Sequence, residues 1–311
     1  MTERGVVLRG TGGVWHVHTE SGATREAALR GRLKQGGEVL KLAVGDEVLV
    51  ERDERTGAWT IIEILPRRSK LARRAPGGGF GERIVAANVD QVVVVFAAAA
   101  PEPHPRMIDR FLVIAAANDL PAHIVINKVD LASEPEVHAR FSDYARAGYP
   151  LHLTSVKRGL GLDELRAALL PDDGARRVSA LSGPSGVGKS SLLNALFPGL
   201  DLRVGEISRS VMKGRHTTVG ADLHPLAGGA YVMDTPGLRE VGVWGLPAEE
   251  LDRSFLEFRP HLGECRFGDC AHRAEPGCAV RAAVEAGDIS AARYESYLKL
   301  RAELEENAPD W

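Results

Sequence analysis

Eight consecutive residues, Gly183-Pro184-Ser185-Gly186-Val187-Gly188-Lys189-Ser190, fit the Gly-x4-Gly-Lys-Ser pattern of a phosphate-binding loop. Glycines at these positions let successive backbone N–H groups curl around an anion. A helix N-terminus directly behind them favours negative charge at the same point. The pattern works only between a strand and a helix, and the flanks comply: Val178–Leu181 is an apolar strand-like run, and Ser191–Phe197 opens a helix. The chain must therefore build an α/β sheet around this loop. Lys189 is expected to reach the outer phosphates of a nucleotide, the Ser190 hydroxyl to hold Mg²⁺, and Ser191 to bind the nucleotide beside them.

The order of the neighbouring motifs is unusual. Asn127-Lys128-Val129-Asp130 ends another strand-like run, Ile124–Ile126, and precedes the phosphate loop in the chain. A carboxylate at Asp130 can accept from both the N1–H and the N2 amine of guanine, a pair of donors that adenine lacks. Charge-assisted bonds of this kind are worth about 1.5–3 kcal/mol each, enough to discriminate against adenine nucleotides. Thr154-Ser155-Val156-Lys157 follows the next strand, Leu151–Leu153, and suits the loop behind the base, with Ser155 and Lys157 as contacts. Asp234-Thr235-Pro236-Gly237 stands 45 residues after Lys189, at the end of the apolar strand Tyr231–Met233. Asp234 is expected on Mg²⁺ and the Gly237 N–H on the terminal phosphate. In an ordinary GTPase the phosphate loop comes first and base recognition last. Here the parts are complete but rotated, and residues 171–177 would join the ends of the standard domain.

The position after Gly237 is Leu238, which cannot orient water as the Gln of Ras-like enzymes does. His216, within Gly214-Arg215-His216-Thr217-Thr218, is either the residue that replaces it or a plain loop residue, and either Thr217 or Thr218 is expected on Mg²⁺.

Around this α/β region, residues 86–245, the composition changes twice. Residues 1–66 carry short β-like runs (Gly5–Leu8, Val14–His18, Glu47–Glu51, Thr60–Ile64) between glycine turns, the pattern of a small β-barrel of the OB type, with or without a nucleic-acid ligand. Residues 1–85 hold 15 Lys and Arg against 11 Asp and Glu, whereas the whole chain has a net charge of −3. The basic character therefore sits at the N-terminal end and favours a polyanionic partner. Arg67-Arg68-Ser69-Lys70-Leu71-Ala72-Arg73-Arg74 and the triple glycine that follows predict a mobile basic linker over 67–85. No apolar run is long enough to span a membrane, and the first residues lack the core of a signal peptide, so a cytoplasmic protein is expected.

Residues 246–311 contain all three cysteines of the chain, Cys265, Cys270 and Cys278, together with His272. Three thiolates and one imidazole close a tetrahedral Zn²⁺ site with no open position, which assigns the ion a structural role. His261 and Glu264 lie nearby with less suitable spacing. A charged helix over Ala291–Glu305 follows, with Tyr294, Tyr297, Leu298 and Leu304 as its apolar stripe.

Together, the order of NKVD, GPSGVGKSS and DTPG, the GRHTT segment, and the terminal Cys-x4-Cys-x-His-x5-Cys resemble the ribosome small-subunit-dependent GTPase A family, also called RsgA or YjeQ. The resemblance covers nearly the whole chain. It implies an OB barrel, a circularly permuted GTPase domain and a mostly helical zinc domain. It also implies GTP hydrolysis stimulated by the 30S subunit, contact with 16S rRNA, and a role for His216 in turnover. The chain is expected to be a monomer. A competing reading, an RNA-binding scaffold for which GTP is only a structural ligand, differs in lacking ribosome-stimulated turnover. The permutation also suggests that the terminal domain, attached just after Asp234, moves when GTP is hydrolysed.

Overall fold

In the computed structural model of the chain, the described residues are 1–31, 42–74, 82–171, 175–202, 222–234 and 246–306. Five strands, β1 (Thr2–Thr11), β2 (Val14–Thr19), β3 (Thr24–Leu29), β4 (Glu47–Arg52) and β5 (Trp59–Ile64), close a barrel in the order β1-β2-β3-β5-β4. That order, with β3 and β5 parallel and the other pairs antiparallel, is the OB topology. Alternate residues Val7, Val17, Val48, Val50 and Ile61 fill the interior. Strand β3, Thr-Arg-Glu-Ala-Ala-Leu, has no β-forming pattern of its own. Pairing on both sides, with β2 and β5, holds it extended.

The basic segment differs from the expected linker. Lys70–Arg74 (β6) pairs antiparallel with Glu82–Ala87 (β7), and Leu71 lies opposite Ala86, both fully buried. Arg67 is also fixed, forked onto the buried Asp46 through Nε at 2.6 Å and Nη2 at 2.7 Å. A run of cations around one core-facing leucine forms a strand here because it covers the junction between the barrel and the sheet.

The central sheet has strands β8 (Gln91–Ala97), β9 (Ala122–Asn127), β10 (Leu151–Leu153), β11 (Arg177–Ser182), β12 (Asp222–Pro225) and β13 (Ala230–Asp234) in the order β10-β9-β8-β11-β13-β12. All neighbours are parallel except β12, which runs antiparallel to β13. The chain enters at β8, in the middle of the sheet. This places the phosphate-loop strand β11 between the first strand and the last two. Helices α1 (Pro105–Ala117) and α2 (Glu134–Arg146) cover one face, and α3 (Leu162–Leu169) and α4 (Lys189–Leu196) the other. Helix α2 starts where the Glu136 carboxylate accepts from the Ser133 N–H at 2.8 Å, with Pro135 in its first turn.

Beyond residue 246, two 3₁₀ turns, Ala248–Ser254 and Leu256–His261, precede α5 (Ala279–Ala286) and α6 (Ala291–Glu306). Arg293, on α6, is buried between Asp109 of α1 and Glu257, bonding Asp109 through Nη1 and Glu257 through Nε at 2.7 Å. No described helix is long and apolar enough to cross a membrane.

Candidate nucleotide site and metal centre

The parallel strands deliver Asn127, Ser182 and Asp234 to the same edge of the sheet, since Leu181 is in register with Asp234 and Ala97 with Asn127. Ligands of open α/β sheets bind at this carboxyl edge. Gly183 turns the chain out of β11 with φ +143°, where an added Cβ would lie 2.0 Å from the Val95 carbonyl oxygen. Gly188, at φ +94°, leaves room for Asn127, whose Nδ2 would be 2.7 Å from a Cβ there. Both glycines are therefore fixed by backbone sign and by space.

The two motifs are laced together. Asn127 Nδ2 donates to the Val187 carbonyl at 3.0 Å, and the Thr154 hydroxyl donates to Asn127 Oδ1 at 3.2 Å. Lys128, in a left-handed conformation at φ +59°, donates through Nζ to the Gly186 carbonyl at 2.6 Å and to the Ala100 carbonyl. The Ser155 hydroxyl donates to Asp130 Oδ1 at 2.5 Å and holds that carboxyl below its ordinary range, with Lys157 and Arg158 adding in the same direction. An ionised carboxylate that accepts from Ser155 keeps lone pairs for two further donors, the number a guanine ring offers. Lys189 donates to the Gly183 and Pro184 carbonyls at 2.9 Å each, and Ser190 is buried in the first turn of α4. Asp234 closes β13 at the same edge of the sheet.

Asn127, Lys128, Asp130, Ser155 and the phosphate loop thus converge, with Val129 opening the 3₁₀ turn that carries Asp130. His216, Thr217, Thr218 and Gly237 lie outside the described residues. Two participants had no readable sequence signal. The Ala100 carbonyl is contributed by its backbone, and Asp252 stands 20 residues from His272, which it faces.

At the other end of the chain, one ligand atom from each of Cys265, Cys270, His272 and Cys278 lies within 4.8 Å of the others. The Cys265 and Cys278 sulfurs are 4.0 Å apart, close to the roughly 3.8 Å that a tetrahedron with Zn–S bonds of about 2.3 Å requires. His272 Nδ1 is 3.6 Å from the Cys265 sulfur and 3.4 Å from that of Cys278, while its Nε2 faces Asp252 Oδ2 at 3.4 Å. The Ala279 N–H donates to Cys265 Sγ and the Arg281 N–H to Cys278 Sγ, both at 3.4 Å, so the start of α5 favours thiolates. Burial pushes the Cys270 thiol up to about 12, which a coordinated cation would reverse. Helix α6 anchors the ligand loop: the Tyr294 hydroxyl donates to the His272 carbonyl at 2.5 Å and that of Tyr297 to the Ala271 carbonyl at 2.9 Å. The donor set and its spacing fit a structural metal ion.

Known proteins bear on both sites. The family model of RsgA GTPases matches residues 64–244. A curated small ribosomal subunit biogenesis GTPase RsgA of Gemmatimonas aurantiaca is 63% identical over 303 residues, covering 96% of this chain and 97% of the relative. A Bacteroides fragilis relative of the same name is 39% identical over 308 residues, 97% of each chain. Among solved structures, YjeQ of Thermotoga maritima superposes with a TM-score of 0.79 at 36% identity, covering 98% of this chain and 99% of that one. YloQ, described as a circularly permuted GTPase, gives 0.77 at 29% identity over 100% and 98% of the two chains. A sheet entered at β8, with its base-reading strand ahead of its phosphate-loop strand, has the same explanation as these likenesses: the chain belongs to the RsgA GTPase family and is a circularly permuted GTPase.

Proposed function

We propose that the protein binds the 30S ribosomal subunit and uses GTP hydrolysis, stimulated by that subunit, to time a late step of small-subunit maturation in the cytoplasm, acting as a monomer. The observation that carries the nucleotide reading is the hydrogen-bonded bridge from Asn127 and Lys128 to Val187 and Gly186. It ties a guanine-reading carboxylate to a phosphate loop across a gap of some sixty residues. The subunit as partner is supported by the name carried by relatives that match over nearly the whole chain.

In this reading Asp130 accepts from guanine, while Lys128, Ser155 and Lys157 back the base. Residues Gly183 to Ser191 wrap the phosphates, with Lys189 against their outer charge. Ser190, Asp234 and either Thr217 or Thr218 hold Mg²⁺, which neutralises phosphate charge when bound. Gly237 senses the terminal phosphate and His216 orients the attacking water. The barrel contacts 16S rRNA. Cys265, Cys270, His272 and Cys278 hold one structural Zn²⁺. The test is GTP hydrolysis with and without purified 30S subunits, with ATP as the control. Acceleration confined to GTP is expected. Turnover indifferent to the subunit would favour the alternative, an RNA-binding scaffold that carries GTP as a structural ligand.

A further inference from the structure

The geometry points to Asp252 as the positioning residue of the metal centre: its carboxylate takes the Nε2–H of His272, fixing the tautomer whose Nδ1 lone pair faces the three thiols. This rests on the reading of Cys265, Cys270, His272 and Cys278 as metal ligands. A neutral imidazole has one N–H and one lone pair, and coordination needs the lone pair on the nitrogen that faces the ion. In this ring the two nitrogens have opposite surroundings. Nδ1 meets sulfur at 3.4 and 3.6 Å, and Nε2 meets Asp252 Oδ2 at 3.4 Å. Among the described residues, His272 is the basic side chain that faces the Asp252 carboxylate. The other oxygen, Oδ1, accepts from the Arg253 N–H at 2.7 Å, which holds the carboxylate facing the ring. His272 is itself only 3% exposed, so water does not compete freely for Nε2. A carboxylate on the far nitrogen of a ligating histidine orients the ring and raises its basicity, and its loss typically weakens metal affinity 10- to 100-fold.

Asp252 lies on the 3₁₀ turn Ala248–Ser254, close after the stretch that follows Asp234.

The experiment compares full-length wild type, Asp252→Asn and Asp252→Ala, measuring zinc content and zinc affinity by competition with a chromophoric chelator. The state of His272 is read by nitrogen NMR of the zinc-loaded protein. Asp252→Asn keeps the size of the side chain and an acceptor for the Arg253 N–H, so it carries the test if the alanine variant fails to fold. Affinity reduced about tenfold in Asp252→Asn and more in Asp252→Ala, with Nδ1 coordinated in wild type and a slowly exchanging Nε2–H lost in the variants, is the expected result. One zinc per chain with affinity unchanged in both variants overturns the role of Asp252 alone, and so does coordination through Nε2. A wild type that binds no zinc overturns the metal reading itself and this inference with it.

Discussion

The Ser155 hydroxyl, at 2.5 Å, is the largest influence holding Asp130 as an anion, ahead of the residue's own backbone N–H and the nearby Lys157 and Arg158. Substituting Asp130→Ala removes two charge-assisted bonds, each worth about 1.5–3 kcal/mol, and is expected to weaken GDP binding by about a hundredfold or more. ADP binding should be unaffected. Titration with both nucleotides checks this, and a variant that still prefers GDP to ADP would refute the role of Asp130. Ser155→Ala leaves the acid in place but loosens it, so a smaller loss, about tenfold, is expected in the same titration. A second side chain with consequences is His123. Its Nδ1 lies 3.1 Å from His152 Nε2, with ring planes within 13° and centres 5.4 Å apart. Those values describe nearly coplanar rings meeting edge to edge through one N–H···N bond, which allows at most one of the two imidazoles to be charged. Burial, then the neighbouring His152 and Arg177, lower His123 to about 4 from its ordinary 6.5. Between those values the unfolded chain takes up a proton that the folded chain refuses. Stability is therefore full above pH 6.5 and declines as pH falls toward 4, by at most about 3 kcal/mol. His123→Gln should flatten that part of the pH dependence of the melting temperature, and an unchanged profile would show that the pair is not responsible.

At the scale of elements, the ends of the sheet strands were legible because each bears a motif whose chemistry fixes its surroundings. Asn127 must follow a strand, and Gly183 must leave one. Two elements were not legible, for different physical reasons, and a third only in part. Strand β3 has Ala, Glu and Arg where strands prefer β-branched residues, and two neighbours impose its conformation. Strand β6 looks solvated because its one apolar residue, Leu71, is surrounded by cations, yet that leucine is fully buried. Helix α6 was read by its aromatic stripe, and Tyr297 is indeed buried, but Arg293 on the same helix is only 3% exposed. Its partners Asp109 and Glu257 lie 184 and 36 residues away in sequence, beyond any local pattern. The same ion triad opposes the simplest picture of a terminal domain swinging freely after hydrolysis, because it fastens α6 to α1 of the nucleotide-binding sheet. Arg293→Ala would leave two buried carboxylates facing each other, at a cost of about 3–5 kcal/mol. A correspondingly earlier denaturant midpoint is expected, and an unfolding free energy within about 1 kcal/mol of wild type, the scale of an exposed pair, would contradict it.

Across the whole molecule, the two faces of the sheet serve different parts of the chain. One apolar core runs from Val6 and Leu8 of the barrel through Leu71, Val94, Phe96 and Ile108 to Phe255, Phe258 and Tyr297 beside the Cys/His cluster. Polar contacts follow the same path: Glu47 of β4 pairs with both Arg4 and Arg176, and His18 Nδ1 meets the Tyr231 hydroxyl at 2.8 Å, three residues before Asp234. The barrel and the terminal domain therefore share one face. The opposite face is a separate core of Val93, Val95, Leu165, Val187, Leu192, Leu193 and Leu196, the residues that support the phosphate loop and α4, and no described residue beyond 246 belongs to it. Removing the metal should unfasten the ligand loop, release the Tyr294 and Tyr297 contacts, and weaken the first core while leaving the second intact. Chelator-treated protein is accordingly expected to melt at a lower temperature, with faster amide exchange in α6 and along α1, yet to bind GDP with nearly unchanged affinity. Measuring exchange and GDP affinity on the same sample separates the two cores. Loss of nucleotide binding in parallel with loss of zinc would mean that the two faces of the sheet do not act independently.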